Sequence, residues 1–210
     1  MADDDHRSEL RDEDSLREHF GEPSANAMVM NRSYLDEHHQ LFVRHSPFIC
    51  IASASADGQP NVSPRGDAPG FVHIHDDRTL VIPDRPGNNK IETFVNVVDN
   101  PKVALIFFIP GIRETVRVHG TAELVRDPQW LELGRVEDKL PTAALVVRVT
   151  RAYLHCGKAI VRAKLWDSSR HVAPGVIPSF GQIIKDQAQV STSLAELQAA
   201  LERMYRDELY

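Results

Sequence analysis

The middle of the chain alternates apolar and polar residues with the two-residue period of β-strands. Asp57-Gly58 and Asp76-Asp77-Arg78 each separate two such runs and predict hairpin turns, and Pro110-Gly111 separates a third pair. The strands are predicted over residues 48–54, 59–63, 71–75, 79–82, 103–108, 114–125 and 144–155. The pattern therefore predicts six or more antiparallel strands.

Helical periodicity occurs before, between and after the hairpins. Helices are predicted over residues 10–20, 33–45, 91–98, about 127–139, and near the C-terminus, where Leu194, Leu197 and Leu201 share a face with Met204 or Tyr205. Such a stripe is typical of core or dimer packing. Strands with helices inserted between them predict a mainly β, α+β fold, a small antiparallel β-barrel with peripheral helices. We expect three segments: an acidic N-terminal arm with a short helix (1–27), the barrel (28–170) and a helical extension (171–210).

Composition and charge argue against several classes of protein. The net charge of −6 over 210 residues argues against a nucleic-acid-binding protein, which normally carries a basic face. No apolar run is long enough to cross a bilayer, and the acidic N-terminus does not resemble a secretory signal. Cys50 and Cys156 are too few for a disulfide framework. We therefore expect a cytoplasmic protein with reduced thiols.

The most informative short segment is the loop Asp84-Arg85-Pro86-Gly87-Asn88-Asn89-Lys90. Asn88 or Asn89 can cap the helix that follows, and Asn89 has the capping-box spacing with Glu92. The two cations of the loop lie at a helix N-terminus, where the helix dipole disfavours positive charge. A bound phosphate group would resolve that conflict. The alternative is a solvated turn with two surface charges.

Two other groups of residues admit a functional interpretation. His73 and His75 lie on the same side of a predicted strand, but no histidine or cysteine spacing typical of a metal site accompanies them, so we predict no metal. Arg65 has two interpretations. It either forms a surface ion pair with Asp67, which would contribute little stability, or serves as a phosphate ligand.

A set of short motifs occurs in order along roughly residues 30–170. The motifs are Asp57-Gly58-Gln59-Pro60, Val62-Ser63-Pro64-Arg65-Gly66, Ile82-Pro83-Asp84-Arg85, Asn88-Asn89-Lys90, Asn100-Pro101-Lys102-Val103-Ala104-Leu105, Thr115-Val116-Arg117-Val118-His119-Gly120, His155-Cys156-Gly157-Lys158-Ala159 and Leu165-Trp166. Together they resemble the pyridoxamine 5′-phosphate oxidase-like superfamily of split-barrel flavin proteins. The greatest likeness is to bacterial FMN-dependent oxidoreductases of that class whose substrate is unassigned.

The resemblance implies a six-stranded antiparallel split barrel, usually a homodimer with two FMN sites at the subunit interface. The FMN-binding positions that it implies are Val62, Ser63, Pro64, Arg65, Gly66, Ile82, Pro83, Asp84, Arg85, Asn88, Asn89, Lys90, Thr115 and Trp166. Arg65, Asn89 and Lys90 would be the phosphate ligands, with Arg85 either a weaker fourth ligand or only a brace for the loop. Ser63 would contact the isoalloxazine ring together with the prolines Pro64 and Pro83.

The resemblance also implies contacts from a partner subunit. His155, Lys158 and Arg162 would meet phosphate or substrate, and Trp166 would pack over the ring edge. Thr115 stands where pyridoxamine phosphate oxidases carry a glutamine that contacts the ring, and at this position the chain departs from the family pattern.

The sequence leaves several functions open. The first is an FMN-dependent oxidoreductase that transfers hydride between flavin and a small organic substrate or nicotinamide. The second is a non-catalytic module that binds flavin, deazaflavin or haem, although the compact phosphate cluster favours FMN. A dimer that has lost its cofactor is a third. Pyridoxamine or pyridoxine 5′-phosphate oxidase proper is disfavoured because the Arg- and His-rich C-terminal substrate signature of that enzyme is not found here.

Overall fold

The computed structural model describes Leu10 and residues 12–210, which form two compact units, one up to Asn31 and one from Arg32 to Tyr210. The first unit contains helices α1 (Glu13–Phe20) and α2 (Ala25–Val29). Helix α1 begins three residues later than predicted because Asp12 caps it, with the Asp12 carboxylate accepting a hydrogen bond from Ser15 N at 2.8 Å. The beginning of the predicted acidic arm, residues 1–9, lies outside the described residues.

The second unit contains the sheet and the remaining helices. Its strands are β1 (Phe48–Ala54), β2 (Pro60–Gly66), β3 (His73–Asp76), β4 (Thr79–Pro83), β5 (Lys102–Phe108), β6 (Thr115–Val125) and β7 (Ala144–His155). Its helices are α3 (Glu37–His45), α4 (Glu92–Asp99), α5 (Pro128–Glu132), α6 (Lys158–Ala163), α7 (Phe180–Ala188) and α8 (Leu194–Asp207), with a 3-10 turn at Ser168–Arg170. None of the helices described has the length and apolarity needed to cross a membrane.

All seven strands belong to one sheet with the order β2-β1-β5-β6-β7-β4-β3, and each neighbouring pair is antiparallel. The predicted mainly β, α+β class is confirmed. Each of the seven runs predicted from the alternation corresponds to a strand, which is one more than the six strands that the resemblance implies. The short strand β3 pairs with β4 through His73, Ile74 and Asp76. In the described residues β2 and β3 remain the two edges, so hydrogen bonding does not close the sheet into a barrel.

The register separates a core face from an outer face of the sheet. Ile51, Leu105, Val118 and Ala152 align across four neighbouring strands, and each is at most 2% exposed. Ser63 extends this row onto the edge strand β2, and Arg65 extends the next core-facing row. Because side chains alternate along a strand, Val62 and Pro64 belong to the opposite, outer face. The register therefore brings two polar side chains to the rim of the apolar core.

Helix α5 is much shorter than predicted. It ends at Glu132 instead of continuing to about residue 139, and Val136 and Lys139 then form an isolated bridge. Gly134 accounts for the early end, since glycine is a poor helix former. Its main chain also packs so closely on β4 that an added Cβ would lie 2.5 Å from Pro83 Cβ. This contact places the segment after α5 against the end of β4.

Part of the predicted apolar stripe of the last helix, α8, packs against α7. Leu194, Leu197 and Leu201 are half-buried, and α8 contacts α7, whereas Met204 and Tyr205 are exposed. The assignment of residues 171–210 to a separate helical extension stays a prediction, because the contacts group these helices with the sheet.

Replacing Gly120 with alanine is expected to destabilise the fold. Gly120 lies at an irregularity in the β6–β7 pairing, and an added Cβ would stand 2.2 Å from the Arg148 carbonyl oxygen. Overpacking of this kind costs about 1–3 kcal/mol, and the main chain cannot move aside as a flexible side chain would. Urea denaturation should show this loss. Gly58→Ala is not a matched control because its φ is +90°, whereas Gly66→Ala is: its nearest contact is the Phe48 ring at 3.3 Å. Equal stability of Gly120→Ala and wild type would contradict the prediction.

Candidate functional site

A cavity of about 380 Å³ lies where β2, the end of β4 and the start of α4 meet. We call it the loop cavity, because the segment after β4 forms much of its wall. It is lined by Ser63, Pro64, Arg65, Gly66, Phe71, Pro83, Asp84, Arg85, Pro86, Gly87, Asn88, Asn89, Ile91 and Phe94. Its size falls within the range of about 300–1,000 Å³ typical of ligand sites. Most of the predicted site residues are therefore brought together in one place.

The Arg65 side chain is oriented by hydrogen bonds to two other residues of β2. Its Nη1 donates hydrogen bonds to Ser63 Oγ at 2.6 Å and to the Pro64 carbonyl at 3.0 Å, and its guanidinium lies 5.9 Å from the centre of the Phe94 ring. Burial lowers the pKa of Arg65, and the Asp84 carboxylate acts against that shift. An arginine stays protonated under such a shift. Arg65 is thus a fixed cation in the cavity wall, with further donors left to meet an anion.

The carboxyl group of Asp84 faces the same cavity. Burial raises its pKa, although Thr142, Arg65 and Arg85 each act in the opposite direction. Thr142 Oγ1 donates to Asp84 Oδ2 at 3.3 Å, and Asp84 N donates to the Ala143 carbonyl at 2.9 Å. These contacts with the two residues before β7 hold the first residue of the loop in place.

Arg85 braces the loop through a buried ion pair. Its Nε lies 2.7 Å from Asp67 Oδ2, with side-chain exposures of 16% for Arg85 and 4% for Asp67, and its Nη1 donates to the Gly134 carbonyl at 2.7 Å. The partner of Asp67 is therefore Arg85, and the alternative of a surface ion pair between Arg65 and Asp67 is wrong. Sequence proximity misled here, because Asp67 follows the end of β2 and its partner Arg85 comes from the loop after β4.

The loop ends in two left-handed residues, Asn89 with φ of 56° and Ile91 with φ of 48°. Positive φ is unusual for a β-branched residue such as Ile91, and strain of this kind concentrates at functional sites. Ile91 occupies the N-cap of α4 without a side-chain capping bond, so the predicted capping box of Asn89 and Glu92 is wrong. Glu92 Oε2 instead accepts a hydrogen bond from Asn61 Nδ2 at 2.7 Å, which ties α4 to β2.

The backbone around Lys90 forms a turn between two left-handed residues, Asn89 and Ile91. Left-handed residues spaced along a turn can direct successive N–H groups into one concavity, as in known phosphate-binding nests. Asn88 Oδ1 accepts a hydrogen bond from Lys90 N at 3.1 Å and closes the turn. The Lys90 side chain is exposed and makes no hydrogen bond or ion pair within the part of the chain that the structure describes. Its charge is free to meet a ligand.

Five predicted positions do not line the loop cavity. Val62 lies on the outer face of β2, and Ile82 is 2% exposed in the core. Lys90 adjoins the cavity in sequence without lining it. Thr115 is 4% exposed at the start of β6, where it pairs with His155, and Trp166 donates from Nε1 to the Ile112 carbonyl at 2.8 Å. Within one subunit these side chains are separate from the loop cavity.

The residues predicted to act from a partner subunit are also close to one another. Lys158 and Arg162 on α6 line a second concavity of about 320 Å³ together with Arg113 and Glu114. We call it the basic cavity, since three of its side chains are cationic. His155 at the end of β7 lies outside its lining, and burial followed by the nearby Arg117 charge lowers the pKa of His155.

Sequence reasoning missed several wall residues of the loop cavity: Phe71, Pro86, Gly87, Ile91 and Phe94. Pro86 and Gly87 lie inside the loop that the sequence singled out, so only their direct contact was missed. Helical spacing could have indicated Phe94, because it lies one turn after Ile91 and therefore on the same side of the helix. Nothing local marks Phe71. Among the described residues, no group of His, Cys, Asp and Glu has a geometry for holding a metal ion.

The antiparallel sheet thus carries a cavity with a fixed arginine, Arg65, in its wall, and the exposed Lys90 follows the loop that lines this cavity. The family model described as pyridoxamine 5′-phosphate oxidase matches residues 35–156, more than half of the chain. The chain therefore belongs to the pyridoxamine 5′-phosphate oxidase family. This family includes oxidoreductases, and its members bind flavins. The matched region contains both β2 and the loop after β4.

Solved structures give weaker similarities. HupZ from Group A Streptococcus is 21% identical with a TM-score of 0.47, covering 57% of this chain and 92% of that chain. An F420 reductase is 22% identical with a TM-score of 0.42, covering 56% and 97%. A Clostridium acetobutylicum protein related to general stress protein 26, of the pyridoxinephosphate oxidase family, is 15% identical with a TM-score of 0.43, covering 57% and 86%. A comparison with curated proteins found no significant match.

Proposed function

We propose that this protein is an FMN-dependent oxidoreductase that transfers hydride between the flavin and a small organic substrate or nicotinamide. The observation that carries the proposal is the position of Arg65, which is held in the wall of the loop cavity together with the loop residues that lead to the exposed Lys90. A phosphate group is the ligand that satisfies both features, because it accepts charge-assisted hydrogen bonds from the guanidinium, the ammonium and the turn N–H groups.

Different residues of the cavity would bind different parts of FMN. Arg65, Asn89 and Lys90 would hold the 5′-phosphate, and Arg85 would keep the loop in shape through Asp67. Ser63, Pro64 and Pro83, which also line the cavity, would contact the isoalloxazine ring. The Ser63 hydroxyl already accepts from Arg65, and its own proton remains to be donated to a ligand acceptor. The Asp84 carboxylate would accept hydrogen bonds from ligand hydroxyl groups.

A bound FMN would supply the hydride chemistry, so the chain needs to provide binding, orientation and electrostatics. A hydrogen-bond donor beside the ring stabilises negative charge that develops there, and the Ser63 hydroxyl and the Arg65-Gly66 main chain, which line the cavity, would be such donors. Phe71 and Phe94 give the cavity an apolar wall, which excludes water from that side of the ligand. Cys50 and Cys156 are both free thiols, in keeping with a reducing compartment such as the cytoplasm.

The proposal includes a homodimer formed through the outer face of the sheet. Val62, Ala52, Ala104, His119 and Arg151 align across five strands on this face, and Val62 is 66% exposed. The part of this face on β1, β2 and β5 is apolar. The neighbouring part, on β6 and β7, carries cationic and aromatic side chains. The stacked His119 and Tyr153 rings and the Arg151 guanidinium 4.7 Å from the Tyr153 ring centre form that second part.

The same dimer would give a role to the residues outside the loop cavity. Thr115 and His155 belong to the outer face by their register with Arg117 and Tyr153, so a partner would approach them. The basic cavity with Lys158 and Arg162 would then contribute cations from one subunit to the ligand of the other. Trp166 would close the edge of that shared site.

Val62→Asp is expected to weaken the dimer. A buried carboxylate without a partner costs several kcal/mol, so the dissociation constant should rise by at least about a hundredfold. Sedimentation equilibrium across a concentration series measures the change. Val172→Asp is the matched control, because Val172 is 60% exposed and lies outside the sheet. A monomeric wild-type protein, or the same dissociation constant for both variants, would contradict the proposed interface.

The proposed function is tested by the absorption spectrum of the purified protein and by mass identification of the released ligand. FMN, with flavin bands that disappear when NADH or NADPH is added without oxygen, is the expected result. A protein that binds FMN without ever being reduced would be a flavin-binding module. Failure to bind any flavin after addition of excess FMN would overturn the proposal.

A further inference from the structure

The segment after α8 returns to the loop that follows β4. Tyr210 donates a hydrogen bond from its hydroxyl to Asp67 Oδ1 at 2.6 Å, across 143 positions of sequence. Its ring centre lies 5.3 Å from the Arg85 guanidinium carbon, and Lys139 Nζ donates to the Tyr210 main-chain oxygen at 2.8 Å. One tyrosine thus contacts both members of the buried ion pair that braces the loop.

Tyr210 completes the hydrogen bonding of Asp67. One oxygen of this carboxylate accepts from Arg85 Nε at 2.7 Å, and the other accepts from Tyr210 and from Ala68 N at 2.6 Å. Burial alone would raise the pKa of Asp67, but the hydrogen bonds from Tyr210, Ala68 and Arg85 outweigh it and lower the pKa. The carboxylate therefore stays ionised, and its charge holds Arg85 in one orientation.

Arg85 is shared by two cavities. It lines the loop cavity, and together with Asp84, Pro86 and Asn89 it also lines a neighbouring cavity of about 240 Å³ whose opposite wall includes Tyr210, Lys139 and Leu140. The loop therefore lies between the two cavities and has little protein packed on either side. The hydrogen bonds of Arg85 to Asp67 and to the Gly134 carbonyl hold it in one conformation.

We propose that Tyr210 is a positioning residue for the loop at residues 84–91: acting through Asp67 and Arg85, it fixes the loop in its ligand-binding conformation before the ligand arrives. The inference rests on the proposed function, in which this loop binds the phosphate of FMN. Preorganisation raises affinity because the cost of ordering the loop is met during folding. Tyr210 is 40% exposed, so its contribution is to the loop and not to the packing of the core.

The test uses Tyr210→Phe, which keeps the ring against Arg85 and removes only the hydroxyl. Tyr205→Phe is the matched control, since Tyr205 is 54% exposed on α8 and makes no hydrogen bond recorded among the described residues. Loss of one hydrogen bond corresponds to a factor of about 2–13 in an equilibrium constant. Amide hydrogen exchange of residues 84–91 in the flavin-free protein should accelerate by a factor in that range, and the dissociation constant of FMN should rise to a similar extent.

The outcomes separate this inference from the proposed function. Faster exchange confined to the loop, with weaker FMN binding only in Tyr210→Phe, supports the positioning role. Unchanged loop exchange overturns it, whether or not FMN binds. Faster exchange with unchanged FMN affinity also overturns it, because the loop would then not need its anchor for binding. A wild-type protein that does not bind FMN refutes the proposed function, and the exchange measurement still decides whether Tyr210 orders the loop.

Discussion

Arg65→Ala is expected to weaken FMN binding by about ten- to a hundredfold. The guanidinium is held by Ser63 and Pro64 and lines the loop cavity, so its loss removes a charge-assisted hydrogen bond worth about 1.5–3 kcal/mol. Arg65→Lys should recover only part of the affinity, because an ammonium keeps the charge and loses the planar fork that matches a phosphate. Fluorescence titration of the flavin-free protein measures both effects.

Arg203→Ala provides the control for Arg65→Ala. Arg203 is an exposed arginine on α8 and lines none of the three cavities. Its removal changes the net charge by the same amount, so any general electrostatic effect on an anionic ligand appears in both variants. If the two variants bind FMN with equal affinity, Arg65 is not a phosphate ligand.

Asp67→Asn is expected to lower the free energy of unfolding by about 3 kcal/mol at neutral pH. The Asp67 side chain is 4% exposed and faces Arg85, and removing one partner of a buried ion pair leaves the other charge uncompensated. Asp207→Asn is the matched control: Asp207 pairs with Arg206 at 2.8 Å, but its side chain is 52% exposed. Exposed pairs contribute about 0–1 kcal/mol.

The effect of Asp67→Asn should also depend on pH. The pKa of Asp67 is lower in the folded protein than its ordinary value of about 3.9, so the carboxylate stabilises the fold above that value. This stabilisation is lost as the pH falls through the lowered folded pKa. The difference between wild type and Asp67→Asn should therefore be constant near neutrality and shrink below about pH 4. Urea denaturation at several pH values measures it, and a difference that grows on acidification would contradict the account.

The sequence is sufficient to predict the strands of this fold. Phe48–Ala54 and Ala144–His155 match the predicted bounds in full, because alternation is a local property that reflects burial on one side of a sheet. The fold class follows from the strands and from the resemblance. The bounds of β3 were harder to predict: residues 71–75 were expected and His73–Asp76 form the strand, which is short and has an irregularity in its pairing with β4.

The errors arise where tertiary contacts override local preference. Asn89 and Glu92 have capping-box spacing, but the contact between Glu92 and Asn61 of β2 and the left-handed Ile91 replace that cap. Likewise, Arg65 and Asp67 are close in sequence, while the true partner of Asp67 is Arg85, 18 positions away. Nothing near Tyr210 in the sequence indicates its contact with Asp67. Such pairings depend on the path of the whole chain.

Part of the candidate site was predictable because it consists of short continuous segments. Residues 63–66 and the loop from Pro83 to Asn89 line one cavity, because each is a short continuous segment whose motif is local. Thr115, Trp166 and His155 lie elsewhere in the subunit, and their proposed roles depend on a partner chain. Their place in the site stays a prediction.

The most direct test of the central claim compares FMN with riboflavin, which has the same ring and ribityl chain and no phosphate. Titration calorimetry of the flavin-free protein with each ligand measures what the phosphate contributes. With Arg65 and Lys90 as its partners, FMN should bind at least about a hundredfold more tightly than riboflavin. Equal dissociation constants for the two ligands would contradict a phosphate site at the loop cavity.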